Sequence, residues 1–322
     1  MTMTNMHPTN TRSPRRREQA TFLGSPGRFK AVGNIGSAEV ARVLDGHLLI
    51  ETAQTFFPDF DRDALEPHEH WLCPTHYDDE SGRIPLPVHS WLIRLGGKTV
   101  LIDTCLGNDK VRPNMSEMHL LNTRYLERMA DVGVRPEDVD YVLCTHLHGD
   151  HVGWNTRLED GRWVPTFPNA RYVVSRTEYE AAKIQAADPD CLPWIRNVFL
   201  DSVQPVVEAG KGILVDGVHE LFDELTLRPS PGHTPGHVCV ELRSKGAGAF
   251  FVGDLLHSPI QIPLWQWSTR YCWDRQMAAQ SRREILELCA AENALLLPAH
   301  FNAPHVGRIR EANDAFGIEF GW

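Results

Sequence analysis

Residues 31–322 predict one α/β domain with sheet layers inside and helices outside. Three observations carry this reading. Short apolar, β-branched runs bounded by Gly, Asp or Pro recur along the chain. Segments with a helical apolar period are interleaved with them to the end. No internal repeat or low-complexity linker interrupts the alternation after residue 30.

Taken in order, Glu39–Leu44, His47–Glu51, His89–Leu95 and Lys98–Ile102 read as antiparallel strands, the last two joined across Gly96-Gly97. Residues 52–86 lie between them as a long loop rich in Pro, Asp, His and aromatics, a length usually kept for function or a partner contact. Thr123–Val132 predicts a helix that places Tyr125, Leu126 and Met129 on one face and ends at Gly133. Tyr141–Cys144 is a short strand that runs directly into Thr145-His146. Arg171–Ser175 is a strand and Thr177–Ala187 a helix. Gly212–Val215 and Glu224–Leu227 are strands, and Val238–Arg243 pairs with Ala249–Val252 as a hairpin. Asp274–Ala291 predicts the longest helix, capped by Asp274 and amphipathic through Met277, Ile285, Leu286 and Leu288. Ala294–Leu297 is a buried strand that delivers His300.

Composition narrows the function. The chain has 322 residues, 42% hydrophobic and 23% charged, with a formal net charge of −10. Residues 1–20 are polar and basic without apolar period, and residues 1–30 read as a disordered tail. That tail holds six basic side chains against Glu18 alone, so the remaining chain stands at −15. So acidic a body argues against nucleic acid as a partner. No apolar run approaches the ~20 residues of a membrane span, and no apolar leader follows Arg15–Arg17. Seven Cys without paired spacing argue for reduced thiols and a cytoplasmic setting.

The 16 His are the informative residues, because several are spaced for a metal. In Thr145-His146-Leu147-His148-Gly149-Asp150-His151, the i and i+2 spacing at a strand mouth sends His146 and His148 to one side. Gly149 allows a bend, and Asp150 and His151 turn toward a second position. Four ligands in six residues exceed what one tetrahedral ion needs. His233 lies in a Gly/Pro-rich turn, Asp254 follows a strand at Gly253, and His300 ends another. The seven divide into His146, His148 and His233 for one ion, and Asp150, His151 and His300 for the other. Asp254 bridges both.

These pieces resemble the metallo-β-lactamase superfamily: an HxHxDH run, a later His in a PGHTPGH-type turn, Gly-Asp at a strand end, and a final His. The likeness runs from about Ile35 to about Gly307 and implies a four-layer αβ/βα sandwich with metals at one edge. Asp103, in Val100-Leu101-Ile102-Asp103, resembles the superfamily's early Asp that supports the ligands. The sequence looks most like the branch that holds lactonases and methyl-parathion-type phosphotriesterases. Only 22 residues follow His300, too few for the helical region of the glyoxalase-type thioesterases.

The expected activity is hydrolysis of a small ester-like molecule, lactone first and aryl ester or phosphotriester next, by hydroxide shared between two divalent ions. Alternatives are a β-lactam or thioester hydrolase of the same fold, or a metal-binding member with redox or no turnover. Zinc is the default ion, and the ligand set also suits Mn, Fe or Co. Asp150 would orient the hydroxide. His257, three residues after Asp254, would donate a proton or hold an oxyanion; the other reading is a supporting histidine. A substrate wall is expected from Phe56 and Phe57 on one side and Trp265, Trp267, Tyr271 and Trp273 on the other; those aromatics could equally be core, or a contact in a homodimer. His68-x-His70 repeats the i, i+2 spacing without a following Asp-His and reads as solvated or structural. Cys144 reads as a small buried hydrophobe.

Overall fold

The computed structural model describes residues 29–48, 51–312 and 315–322. Apart from Phe29 and Lys30, the basic tail expected over residues 1–30 lies outside them.

Two seven-stranded sheets stack face to face, and each is nearly in chain order. The first runs Gly33–Ile35, Ala38–Leu48, Leu86–Leu95, Lys98–Ile102, Tyr141–Leu143, Arg171–Ser175 and Gly212–Val215. Its first four strands pair antiparallel and its last four parallel. The second runs His219–Phe222, Leu225–Pro229, Val238–Ser244, Ala247–Gly253, Leu295–Pro298, Gly307–Ala312 and Ala315–Phe320. Only Ala247–Gly253 and Leu295–Pro298 pair parallel in it.

Period-two alternation builds the four layers. Val40, Ile93, Val100, Ile102 and Val173 point inward and meet Val240, Leu242, Phe251, Leu295 and Leu297 of the other sheet. The neighbours Ala41, Leu92, Leu101, Val142 and Tyr172 point outward onto the helical side of the first sheet. Cys239, Phe250, Val252 and Leu296 pack outward against Ile285, Leu286 and Cys289 of the helix Arg275–Ala291. Because both faces of the central strands are covered, Leu86–Leu95 is buried at nearly every position, His89 and Ser90 included.

Several elements differ from the sequence reading. Glu39–Leu44 and His47–Glu51 are not two strands. One strand covers Ala38–Leu48, and its register shifts between Leu44 and Gly46. That bulge turns the Asp45 carboxylate inward, where it accepts from Leu106 N and Trp154 Nε1. Residues 52–86 are not one open loop; they hold the short helices Ala53–Phe56, Arg62–Leu65 and Glu69–Leu72. The helix Arg275–Ala291 is capped by Asp274 as expected, but Met277 and Leu288 are exposed. Its buried face is Ala278, Ala279, Arg282, Ile285, Leu286 and Cys289. Arg282 disguises that stripe: it is fully buried, and its guanidinium donates to the carbonyls of Leu255, Trp265 and Trp267. No helix among the described residues is long and apolar enough to cross a membrane.

The topology brings several strand ends to one edge. Lys98–Ile102 delivers Asp103, and Tyr141–Leu143 delivers Thr145 and His146. Ala247–Gly253 delivers Asp254, and Leu295–Pro298 delivers His300.

Candidate metal centre

His146, His148, His233 and Asp254 offer ligand atoms that all lie within 4.8 Å of one another, and so do Asp150, His151 and His300. Asp254 spans the two groups. Its Oδ1 is 2.9 Å from His300 Nε2 and 3.0 Å from His151 Nε2. Its Oδ2 is 3.1 Å from His233 Nε2 and 3.6 Å from His146 Nε2. Asp150 stands at the rim, with Oδ2 3.6 Å from His300 Nε2 and 3.7 Å from His151 Nε2. It and His148 are the two partly buried members of the seven.

Local structure explains how the residues are held. Asp103 sits at a positive φ of 55°, a conformation Asp tolerates better than most residues. There it accepts from Thr145 N and Thr145 Oγ1 at 2.8 Å each, and from His151 Nδ1 at 2.8 Å. One buried carboxylate thus fixes both ends of the HxHxDH segment. Gly253 has φ 48°, and a Cβ there would lie 2.6 Å from Thr145 Oγ1, so only glycine lets Asp254 approach. Gly232 has φ 129°, and a Cβ would lie 2.1 Å from Ala278 N, so the turn carrying His233 can press against the long helix.

Two supporting residues escaped the sequence reading. Glu178, buried on the helix Arg176–Ala187, accepts from Leu147 N and from Gly236 N at 3.0 Å each, tying the HxHxDH segment to the His233 turn. His237 contacts Ser230 Oγ through Nδ1 at 2.8 Å and accepts the Asp254 N–H at Nε2, 3.2 Å away. The second His of PGHTPGH was a visible signal for His237. Nothing local marks Glu178.

The donor set fits cations. His300 Nδ1 donates to Pro87 O and His151 Nδ1 to Asp103, so each turns Nε2 toward Asp254. Those two Nε2 atoms are 3.3 Å apart, and His233 Nε2 is 2.9 Å from His148 Nδ1. Lone pairs so close repel unless a proton or a cation stands between them. His146 Nε2 is buried without a hydrogen-bond partner. Protonation preferences carry the same demand. Burial drives His146 well down and His148 to about 3. Burial also opposes charge on His233, His151 and His300, yet the Asp254 carboxylate outweighs it; His233 rises to about 10 and the other two rise with it. Burial would raise Asp254, but His151, His257, His300 and His233 hold it well below the carboxylate range. Positive charge is stabilised on both sides of this carboxylate.

His257 is buried, with Nε2 3.1 Å from Asp254 Oδ2 and Nδ1 unpaired. Burial pushes it down to about 4. Its ring packs edge-on against Phe56 and lies nearly parallel to His300.

A cleft of about 520 Å³ opens beside His148 and His233, lined by Leu147, Ala181, Trp194, Val198, Tyr271 and Trp273 among others. Of the expected aromatic wall, Tyr271 and Trp273 line it, and Phe56 backs His257 and Tyr271. The structure does not bring the other three there. Phe57 and Trp267 pack on each other in the core. Trp265 faces a separate surface groove, with Arg283 over its ring. Large rings such as Phe57 and Trp267 bury their apolar area as readily in a core as in a cleft. His68 and His70 belong to neither ligand group. Cys144 is buried, its sulfur beside Asn155, and all seven cysteines are free thiols.

Comparison with known proteins agrees with this geometry. Among curated proteins, the N-acyl homoserine lactonase of Bacillus cereus is 26% identical over 174 residues, spanning 51% of this chain and 61% of the relative. N-acyl homoserine lactonase AttM of Azorhizobium caulinodans is 33% identical over 120 residues, spanning 36% of this chain and 41% of the relative. The chain therefore matches about three-fifths or less of the length of these relatives. Two solved structures share the fold, each with a TM-score of 0.72. Hydrolase AbOPH of the beta lactamase superfamily is 22% identical, with 92% of this chain and 98% of that chain covered. AidC, a dizinc quorum-quenching lactonase in complex with a product, is 21% identical, with 93% and 99% covered. A model of the metallo-beta-lactamase superfamily matches residues 83–300, the stretch that carries every residue of the centre. On that match, which takes in well over half of its length, the chain belongs to the metallo-beta-lactamase superfamily.

Proposed function

We propose that this protein is a dinuclear metal-dependent hydrolase that opens lactones, with aryl esters and phosphotriesters as secondary substrates. The observation that carries the proposal is Asp254, whose Oδ1 lies 2.9 and 3.0 Å from His300 and His151 Nε2 and whose Oδ2 lies 3.1 and 3.6 Å from His233 and His146 Nε2. In this reading His146, His148 and His233 hold one divalent cation, Asp150, His151 and His300 hold the other, and Asp254 bridges. Bound there, the ions would polarise the substrate's carbonyl or phosphoryl oxygen and make water acidic enough to attack near neutral pH; zinc is the default for such chemistry.

The chain's own groups divide the remaining work. Asp150, at the rim, would orient the attacking water. His257, held neutral by burial, acts as a hydrogen-bond donor, either steadying Asp254 or turning to the leaving oxygen. The cleft beside His148 and His233 has mainly apolar walls and suits an apolar substrate part. A lactone and an acyl chain are the two parts that the curated relatives' name joins.

The test is turnover by zinc-loaded protein on acyl homoserine lactones, a nitrophenyl ester, a phosphotriester, a thioester and a β-lactam, with metal content measured on the same sample. Lactone opening that is lost to a chelator and restored by zinc is expected. Turnover confined to the thioester or β-lactam would reassign the substrate. Stoichiometric metal without turnover on any of them would remove the hydrolase reading.

A further inference from the structure

Four of the candidate ligand imidazoles are braced from behind, each by a different chemical group. His151 has the Asp103 carboxylate, His300 the Pro87 carbonyl, and His146 the Thr145 hydroxyl. His233 has a sulfur. Its Nδ1 lies 3.7 Å from Cys272 Sγ, on the ring edge opposite the Nε2 that faces Asp254 and His148. Backbone hydrogen bonds hold the thiol in place. Trp273 N donates to His233 O and Asp274 N to Gly232 O, each at 2.9 Å, and Cys272 N donates to Thr269 O at 3.1 Å. Thr269 Oγ1 lies 3.6 Å from the same sulfur.

We propose that Cys272 is the positioning residue of His233: its sulfur accepts the Nδ1–H and so turns the Nε2 lone pair toward the cation shared with His146 and His148. The inference rests on the reading of His233 as a ligand. Sulfur is a weaker acceptor than a carboxylate or a carbonyl. His233 is therefore less firmly oriented than His151 or His300, and the ion it helps to hold is the more readily exchanged of the two. Loss of such an outer partner typically costs ~10–100-fold in metal affinity.

The experiment titrates the metal-free full chain with Zn²⁺ against a chromophoric chelator, and records the visible spectrum of the Co²⁺-loaded protein. For Cys272→Ala, one of the two ions should bind ~10–100-fold more weakly while the other keeps its affinity, and one set of Co²⁺ bands should shift. Cys272→Ser should restore both to within a few-fold, because a hydroxyl can accept the same N–H. If the alanine variant does not fold, Thr269→Val decides, because it removes the hydroxyl beside the sulfur and leaves the thiol; the same ion should weaken by a smaller factor. Wild-type affinities and spectrum in the variant that folds would overturn the proposal. Equal weakening of both ions, or no rescue by serine, would also overturn it, because either marks a merely structural role. A His233→Ala chain that keeps both ions at full affinity would instead overturn the ligand reading beneath it.

Discussion

Replacing Glu178 tests whether a residue that touches no candidate cation position nonetheless builds the centre. Each Glu178 oxygen accepts one buried backbone N–H, from Leu147 between His146 and His148 and from Gly236 in the His233 turn. In Glu178→Gln the amide oxygen keeps one of these bonds, and the NH₂ group meets the other N–H donor to donor. A buried donor left unpaired costs about 1–3 kcal/mol. Burial already raises the Glu178 carboxyl above its ordinary value, so removing the charge recovers part of that. A net loss of about 2 kcal/mol is expected for glutamine. Alanine strands both donors and should lose about 3–5 kcal/mol. Urea unfolding of the metal-free protein measures both losses. The same unfolding with saturating zinc should show a larger gap, because cations stabilise only a folded site and these variants hold them less tightly. A glutamine variant as stable as wild type, or an alanine variant no worse than glutamine, would refute this account of Glu178.

Asp254→Ala should lose bound metal together with activity, since it removes the carboxylate shared by both nitrogen sets. His257→Ala should keep its metal and lose ~10²–10³-fold in kcat if its N–H steadies the leaving oxygen as that oxygen gains charge; the loss should shrink for nitrophenyl esters, and equal losses for good and poor leaving groups would leave it only the bracing of Asp254. Ala181→Phe narrows the cleft and should raise KM for long-chain lactones roughly tenfold with kcat kept, about 1–2 kcal/mol of lost apolar contact; an unchanged KM would place the chain elsewhere. His76 and His89 are buried and neutral, with burial pushing His76 to about 4 and His89 well below 6.5. The folded chain then binds fewer protons than the unfolded chain below pH ~6.5. Stability present above that pH should fall as pH drops, by about 1.4 kcal/mol per unit for each such residue. His89→Phe keeps a ring against Trp91 and should show a shallower fall in metal-free urea titrations, whereas a parallel fall would contradict it.

What could be read from the sequence was what is local. The HxHxDH segment holds four candidate ligands within six residues, and strands such as Lys98–Ile102 and Arg171–Ser175 carry unbroken apolar runs. Beyond the seven candidate ligands, contacts distant along the chain were not legible. Glu178 meets residues 31 and 58 positions away, and Cys272 meets His233 at a separation of 39. The strands Thr156–Glu159 and Arg162–Pro165 lie mostly at the surface, and the hairpin Gly307–Ala312 with Ala315–Phe320 is half-exposed and charged. Neither pair offers a clear apolar period. Aromatic density around Trp265 and Trp267 misled for a related reason: large rings serve a core and a cleft equally well, and only the fold decides which.

In the proposed centre one carboxylate lies between two cations. Anomalous difference maps from crystals of the zinc-loaded protein, collected on both sides of the zinc edge, test it most directly. Two zinc peaks per chain are expected flanking Asp254, one among His146, His148 and His233 and the other among Asp150, His151 and His300. A single peak, or two with Asp254 ligating only one, would contradict it.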